Sequence, residues 1–277
     1  MRTIDYLSQG QFDAALLAAV AIAVVCGVLS PIVVLKRLAF VGQGISHAAF
    51  GGVGLAAMLG LGAASMSAPA GLGIILGFCV CAGVGIALLG ERGAGLRLDT
   101  AIGIFLVASM ALGALLLDVA VRGGRVQGAV PEVESVLFGS IVAVGIWDAR
   151  LAWLVCFGAI AVLWWSRRRV LFWAFDERSA VAFGVDARRT AVFMMIVLGV
   201  VIVVGMRLAG VVLATALLVL PGATALRLTS RLGPAFALSV IAALLGVLAG
   251  MVLTFETNWP PGPCIVVVQL VLLIVAA

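Results

Sequence analysis

Nine apolar runs, each of helix length and nearly free of charge, leave this chain little choice of solvent. They lie near residues 12–35, 40–60, 70–90, 100–118, 149–166, 189–206, 208–226, 234–253 and 263–277. About 20 apolar residues in a helix match the hydrocarbon core of a bilayer, where only helices and closed barrels satisfy their own backbone. With 65% hydrophobic and 10% charged residues, a water-soluble domain of 277 residues would expose much of that apolar surface. The expected fold is therefore all-α, a polytopic transmembrane helical bundle of about nine spans in a single domain over 1–277. The segment 134–147 is too short to span and reads as a re-entrant half-helix. The N-terminal flank is nearly neutral and shows no small-residue cleavage site, so the first run reads as a retained span.

Basic residues set the expected orientation. One set of connections holds Lys36, Arg37, Arg92, Arg97, Arg167 to Arg169, Arg178, Arg188, Arg189, Arg227 and Arg231, which is twelve of the 17 basic residues. Arg2, Arg122, Arg125, Arg150 and Arg207 fall on the other side. The positive-inside rule makes the first set cytoplasmic, with the N-terminus outside and the C-terminus inside. The net charge of +5 is absorbed by this bias and gives no support to nucleic-acid binding. Trp164, Trp165 and Trp173 read as anchors at the cytoplasmic interface, Trp147 and Trp259 as anchors at the other. The five cysteines lack metal-ligand spacing and read as small packing groups, and Cys79 and Cys81 face different sides of a helix.

The sole histidine, His47, stands in a polar, glycine-rich stretch of a span, 38–54. Imidazole is costly to bury in lipid and is a good transition-metal ligand, which marks a pathway or binding site. Gln43 lies one turn earlier on the same helix face, and the two could contact an ion through a nitrogen and an amide oxygen. Gly44, Phe50, Gly51 and Gly54 lie on or near that face and are expected to leave room beside the ring. The competing reading is that His47 and Gln43 hydrogen-bond across a helix contact and hold the bundle together.

The remaining polar groups carry less. Asp118 and Glu256 near outer span ends could draw cations inward or simply be solvated, and Glu132 and Glu134 flank the half-helix. Arg207 is expected to snorkel, Asp99 to cap a span, and Pro221 to kink one. Glycines 71, 73, 77, 83, 85, 246 and 250 read as sites of close helix packing. The stretch from Arg167 to Arg189 reads as cytoplasmic, with a surface helix that Asp176 can cap and Gly184 can stop.

Five blocks in order carry a resemblance over most of the chain: VLKRLAFVGQGISHA at 34–48, DTAIGI at 99–104, LFGSI at 137–141, the segment 176–184 beginning Asp-Glu-Arg, and GVVLATALLVLPGATA at 210–225. In these the chain resembles the permease subunits of the bacterial ABC importers for zinc, manganese and iron ions. The resemblance implies a type II (vitamin and metal-chelate kind) importer permease in the bacterial inner membrane. It also implies a homodimer, a cytoplasmic ATPase below it and an extracytoplasmic metal-binding protein above it. Metal contact falls on His47 and Gln43. Coupling to the ATPase falls on a segment at about 174–186, through Asp176, Glu177, Arg178, Ala182 and Gly184. Many members of the family carry an aspartate where this chain has Gln43.

The chain has no Gly-x-x-x-x-Gly-Lys-Ser/Thr phosphate loop. It is therefore not expected to be an enzyme: ATP would be hydrolysed on a partner, no cofactor would be held covalently, and the metal ion would be cargo. The alternatives are a permease for a metal chelate or siderophore, an ion-coupled secondary transporter, and a membrane subunit without transport. A secondary transporter normally needs buried acids or broken helices near the midplane, whereas these acids lie at span ends or in connections.

Overall fold

The computed structural model describes residues 13–61, 69–90, 97–124, 144–175 and 184–277, and its regular structure is helical throughout. Ten helices are described: α1 (Asp13–Leu35), α2 (Val41–Met58), α3 (Pro69–Gly90), α4 (Leu98–Arg122), α5 (Ile146–Trp165), α6 (Arg167–Phe175), α7 (Ala187–Ala209), α8 (Val211–Leu228), α9 (Leu232–Thr257) and α10 (Pro261–Val275). Every one of the nine apolar runs falls on one of them. Seven helices are long and apolar enough to cross a membrane: α1, α3, α4, α5, α7, α8 and α9. The other two runs give α2, with 18 residues diluted by glycine and polar side chains, and α10, with only 15. Large apolar side chains such as Val107, Leu115 and Leu154 point outward, as expected where lipid is the solvent.

The described residues correct several local expectations. The helix after α5 begins at Arg167, directly beyond a turn at Ser166, and is an extra element. Most of the half-helix segment lies outside the described residues, and its last two, Ile146 and Trp147, open α5 behind an extended Gly145. Asp99 is not a cap: Arg97 holds that position, and Asp99 sits in the first turn where the helix dipole favours a carboxylate. Trp173 is buried, with the Lys36 ammonium 4.1 Å from its ring centroid, while Trp147, Trp164, Trp165 and Trp259 are exposed at helix ends as anchors should be.

The chain divides into two compact units, and α7 supplies residues to each. The first comprises Met1–Ala39, Leu137–Glu177 and Val204–Ala277. Here α1 packs against α5, α8 and α9. Where α1 meets α8 both helices contain a proline, Pro31 and Pro221. Pro221 breaks the regular ladder of α8, and the neighbouring Gly222 N–H donates to Ser30 Oγ at 2.7 Å. A Cβ on Gly222 would lie 2.5 Å from the Ser30 backbone, so only glycine allows this crossing. Between α9 and α10 the buried Gln269 side chain occupies the space a Cβ on Gly246 would take, and its Nε2 donates to the carbonyls of Ala242 and Ala243.

The second unit comprises Phe40–Val136 and Arg178–Val203, with α2 packed against α3 and α4. Gly44 meets Ile102, Gly51 meets Ser109 and Gly54 meets Gly113, so residue numbers rise together and α2 and α4 run parallel. Against α3 they run oppositely: Gly52 meets Ile75, and Gly44 meets Ile86. Gly83 and Gly85 also pack closely, but Gly73 and Gly77 have nothing within 4 Å, against the expectation that all mark tight packing.

Candidate metal-contact site

The α1–α2 connection is held by local backbone geometry. Arg37 adopts the left-handed conformation with φ 55°, and Leu38 N–H donates to Val33 O at 2.8 Å, closing the end of α1. The next helix starts at Val41 behind Phe40, whose carbonyl accepts from Gly44 N–H. Gln43 and His47 then follow one turn apart. Gln43 is exposed and His47 half-buried, and neither has a hydrogen-bond partner among the described residues. The two side chains therefore do not bond to each other within one chain. They form a polar pair on a helix whose other positions are mostly buried.

The glycines around the pair do not leave the room expected of them. A Cβ on Gly54 would lie 2.5 Å from Gly113 O, and one on Gly113 would lie 2.6 Å from Phe50 O, so α2 and α4 meet backbone to backbone. Gly51, one turn beyond His47, is filled by Phe78 and approached by the Ser109 carbonyl, and Gly44 by Ile102. The glycine-rich motif is thus a clamp. It fixes the path of α2 and thereby the direction in which Gln43 and His47 project.

Two ligands are not a cage. Among the described residues no group of three or more His, Cys, Asp or Glu side chains could hold a metal ion. The five cysteines are free: four are buried, as packing groups are, whereas Cys81 is exposed, against that expectation. Buried polar side chains among the described residues are Ser, Thr and Gln.

Other expected contacts resolve separately. Asp118 forms an exposed ion pair with Arg122 at 2.9 Å. Arg207 pairs with Asp148 at 3.2 Å instead of merely snorkelling. Both partners are about one-third exposed, so a double-mutant cycle of Asp148→Asn and Arg207→Gln should give a coupling of about 1 kcal/mol or less, read from unfolding in detergent. Glu132, Glu134, Asp176, Glu177, Arg178 and Ala182 lie outside the described residues. Gly184 is described, with φ +74°, a left-handed conformation that favours glycine, while the helix it is expected to stop lies outside the described residues. Sequence reading missed Ser30 and Pro31 as the neighbours of Gly222 beside Pro221; the proline was visible, but its neighbour across the fold was not.

Residues 10–277 match the family described as the ABC 3 transport family. The chain is 30% identical to the manganese transport system membrane protein MntC of Halalkalibacterium halodurans, over 95% of this chain and 85% of that one. It is 27% identical to the chelated iron transport system membrane protein YfeD of Yersinia pestis, over 95% of this chain and 83% of that one. Among solved structures, PsaBC from Streptococcus pneumoniae in complex with Fab superposes with a TM-score of 0.79 at 26% identity, covering 99% of this chain and 93% of that chain.

Proposed function

The chain belongs to the ABC 3 transport family, and on that premise we propose that it is the membrane permease of an ATP-driven importer of divalent transition-metal ions. The observation that carries this reading is the family match over 10–277, which takes in every described helix and both units. The manganese and iron systems among its relatives support a metal as cargo: zinc, manganese or ferrous iron. On this reading 1–277 is one permease domain, and α2 and α10 complete nine spans. The N-terminus is outside and the C-terminus faces the cytoplasm of a bacterial inner-membrane protein.

Two copies would bring opposing Gln43–His47 faces to a shared path, doubling the contacts one chain can offer. A cytoplasmic ATPase would engage the segment around 174–186 through Asp176, Glu177, Arg178, Ala182 and Gly184. ATP would be bound and hydrolysed there, and this subunit would perform no covalent chemistry. An extracytoplasmic binding protein would deliver the metal. Rocking of the two copies would expose the pair to each side in turn, and weak holding suits a path that must release its ion. A chelated metal is the second reading, favoured by the lack of a three-ligand group among the described residues.

The test is uptake by proteoliposomes holding the permease, its ATPase and its binding protein. Zinc, manganese, ferrous iron and a ferric chelate are supplied with and without ATP. ATP-dependent uptake of a free ion is the expected result. Uptake of the chelate alone would select the second reading, and accumulation without ATP would overturn both.

A further inference from the structure

Within the first unit, a cavity of about 630 Å³ opens between α1, α5, α6 and α9. Its size falls in the range of about 300–1,000 Å³ typical of small-molecule sites. Val28, Ile32, Leu163, Phe236 and Ile241 wall it, and the sole charged group among its lining residues is Arg167. The guanidinium of the exposed Arg167 lies 4.4 Å from the Trp164 ring centroid, over an aromatic face. No carboxylate pairs with it among the described residues.

The cavity also has a direction. Val28 lies about 10 Å from the Leu35 end of α1, and Ile241 about 14 Å from the Leu232 end of α9, by helical rise. Those are the ends bearing Lys36, Arg37 and Arg231, and α6 adds the exposed Arg168 and Arg169 beside Arg167. The described acids of this unit, Asp13, Asp148 and Glu256, lie at the opposite ends of α1, α5 and α9, while Asp176 and Glu177, which follow α6 in sequence, lie outside the described residues. One apolar slot thus runs inward from a cluster of positive charge.

We propose that this slot is a binding site for one anionic phospholipid, with an acyl chain lying along α1 and α9 and the phosphate on Arg167. An acyl chain needs a dry wall and no hydrogen bonds, which the slot supplies. A guanidinium stacked on an indole keeps its N–H edge free for phosphate oxygens. The charge complementarity selects an anionic headgroup over a zwitterionic one. The site adds to the transport reading and requires only that the chain lie in a bilayer.

The test is native mass spectrometry of the full-length permease, titrated with phosphatidylglycerol or phosphatidylcholine of matched chains. Wild type should retain one phosphatidylglycerol in preference to phosphatidylcholine. Arg167→Gln should weaken that retention about five-fold, the worth of one arginine at a membrane surface. Ala237→Trp, placing an indole in the slot, should displace the lipid whatever its headgroup. Arg227→Gln, at the same end of this unit but outside the cavity lining, should change nothing.

Equal retention of the two lipids would overturn the proposal. So would equal losses in Arg167→Gln and Arg227→Gln, since that pattern is diffuse charge attraction. Loss of the bound lipid when a second copy or the ATPase assembles would make the slot a protein contact and would also overturn it.

Discussion

Gly54→Leu should yield no monodisperse protein in detergent, whereas Gly77→Leu should elute and melt like the parent. Both substitutions put the same side chain into an apolar helix, and both raise hydropathy equally. Their surroundings differ. A Cβ at 54 already stands 2.5 Å from the backbone carbonyl of Gly113, which cannot rotate away, while at 77 nothing lies within 4 Å. Gly54→Ala alone must push α2 and α4 apart, and overpacking of this kind costs about 1–3 kcal/mol. A leucine adds branched carbons with no cavity to enter, and the loss should reach the whole margin of about 5–15 kcal/mol that holds a typical domain. Gly77→Ala should be neutral or gain up to about 1 kcal/mol from helix propensity. Fluorescence-detected size exclusion with a thermal ramp reads all four variants. Equal melting of Gly54→Ala and Gly77→Ala would remove the clamp as the reason for the glycines.

That contrast also marks where sequence reading stopped. The nine apolar runs all fall on helices, because backbone satisfaction in lipid admits few alternatives. Which face of each helix meets protein was not legible. In a bilayer the lipid-facing and protein-facing sides are both apolar, so Gly73 and Gly77 look like Gly83 and Gly85 until neighbours are known. Ser30 was equally silent, since its partner Gly222 is 192 residues away. Trp173 resembled its exposed neighbours Trp164 and Trp165, and only its burial in the fold, with Lys36 over its ring, shows it to be an interior group. Arg207 hid a partner in Asp148 for the same reason. At the site, the i and i+4 spacing of Gln43 and His47 was legible and the surrounding space was not. Glycine signals either an opening or a close approach, and here α4 supplies the approach.

His47→Ala should fold normally and lose ATP-driven metal uptake by about ten-fold or more, the effect of removing a ligand worth at least about 1.4 kcal/mol. The structure makes this a clean substitution. His47 is half-buried and bonds to nothing among the described residues, so removing its ring leaves no orphaned partner and should alter the melting midpoint little. Loss of transport without loss of stability is therefore the signature of ion contact, and loss of both together would return His47 to packing. Gln43→Asp moves the same site the other way. A carboxylate about 4 Å from a cation adds roughly 4 kcal/mol per unit charge at an effective dielectric near 20, of which a dipolar amide supplies only part. Tighter holding lowers the half-saturating metal concentration, but an ion held too well leaves slowly. Gln43→Asp should thus lower both the half-saturating concentration and the maximal rate, while the His47→Ala, Gln43→Asp double variant recovers part of the lost uptake. If Gln43→Asp leaves both parameters unchanged, the cation does not pass within a few ångströms of this helix face, and the pair owes its place in the span to another contact.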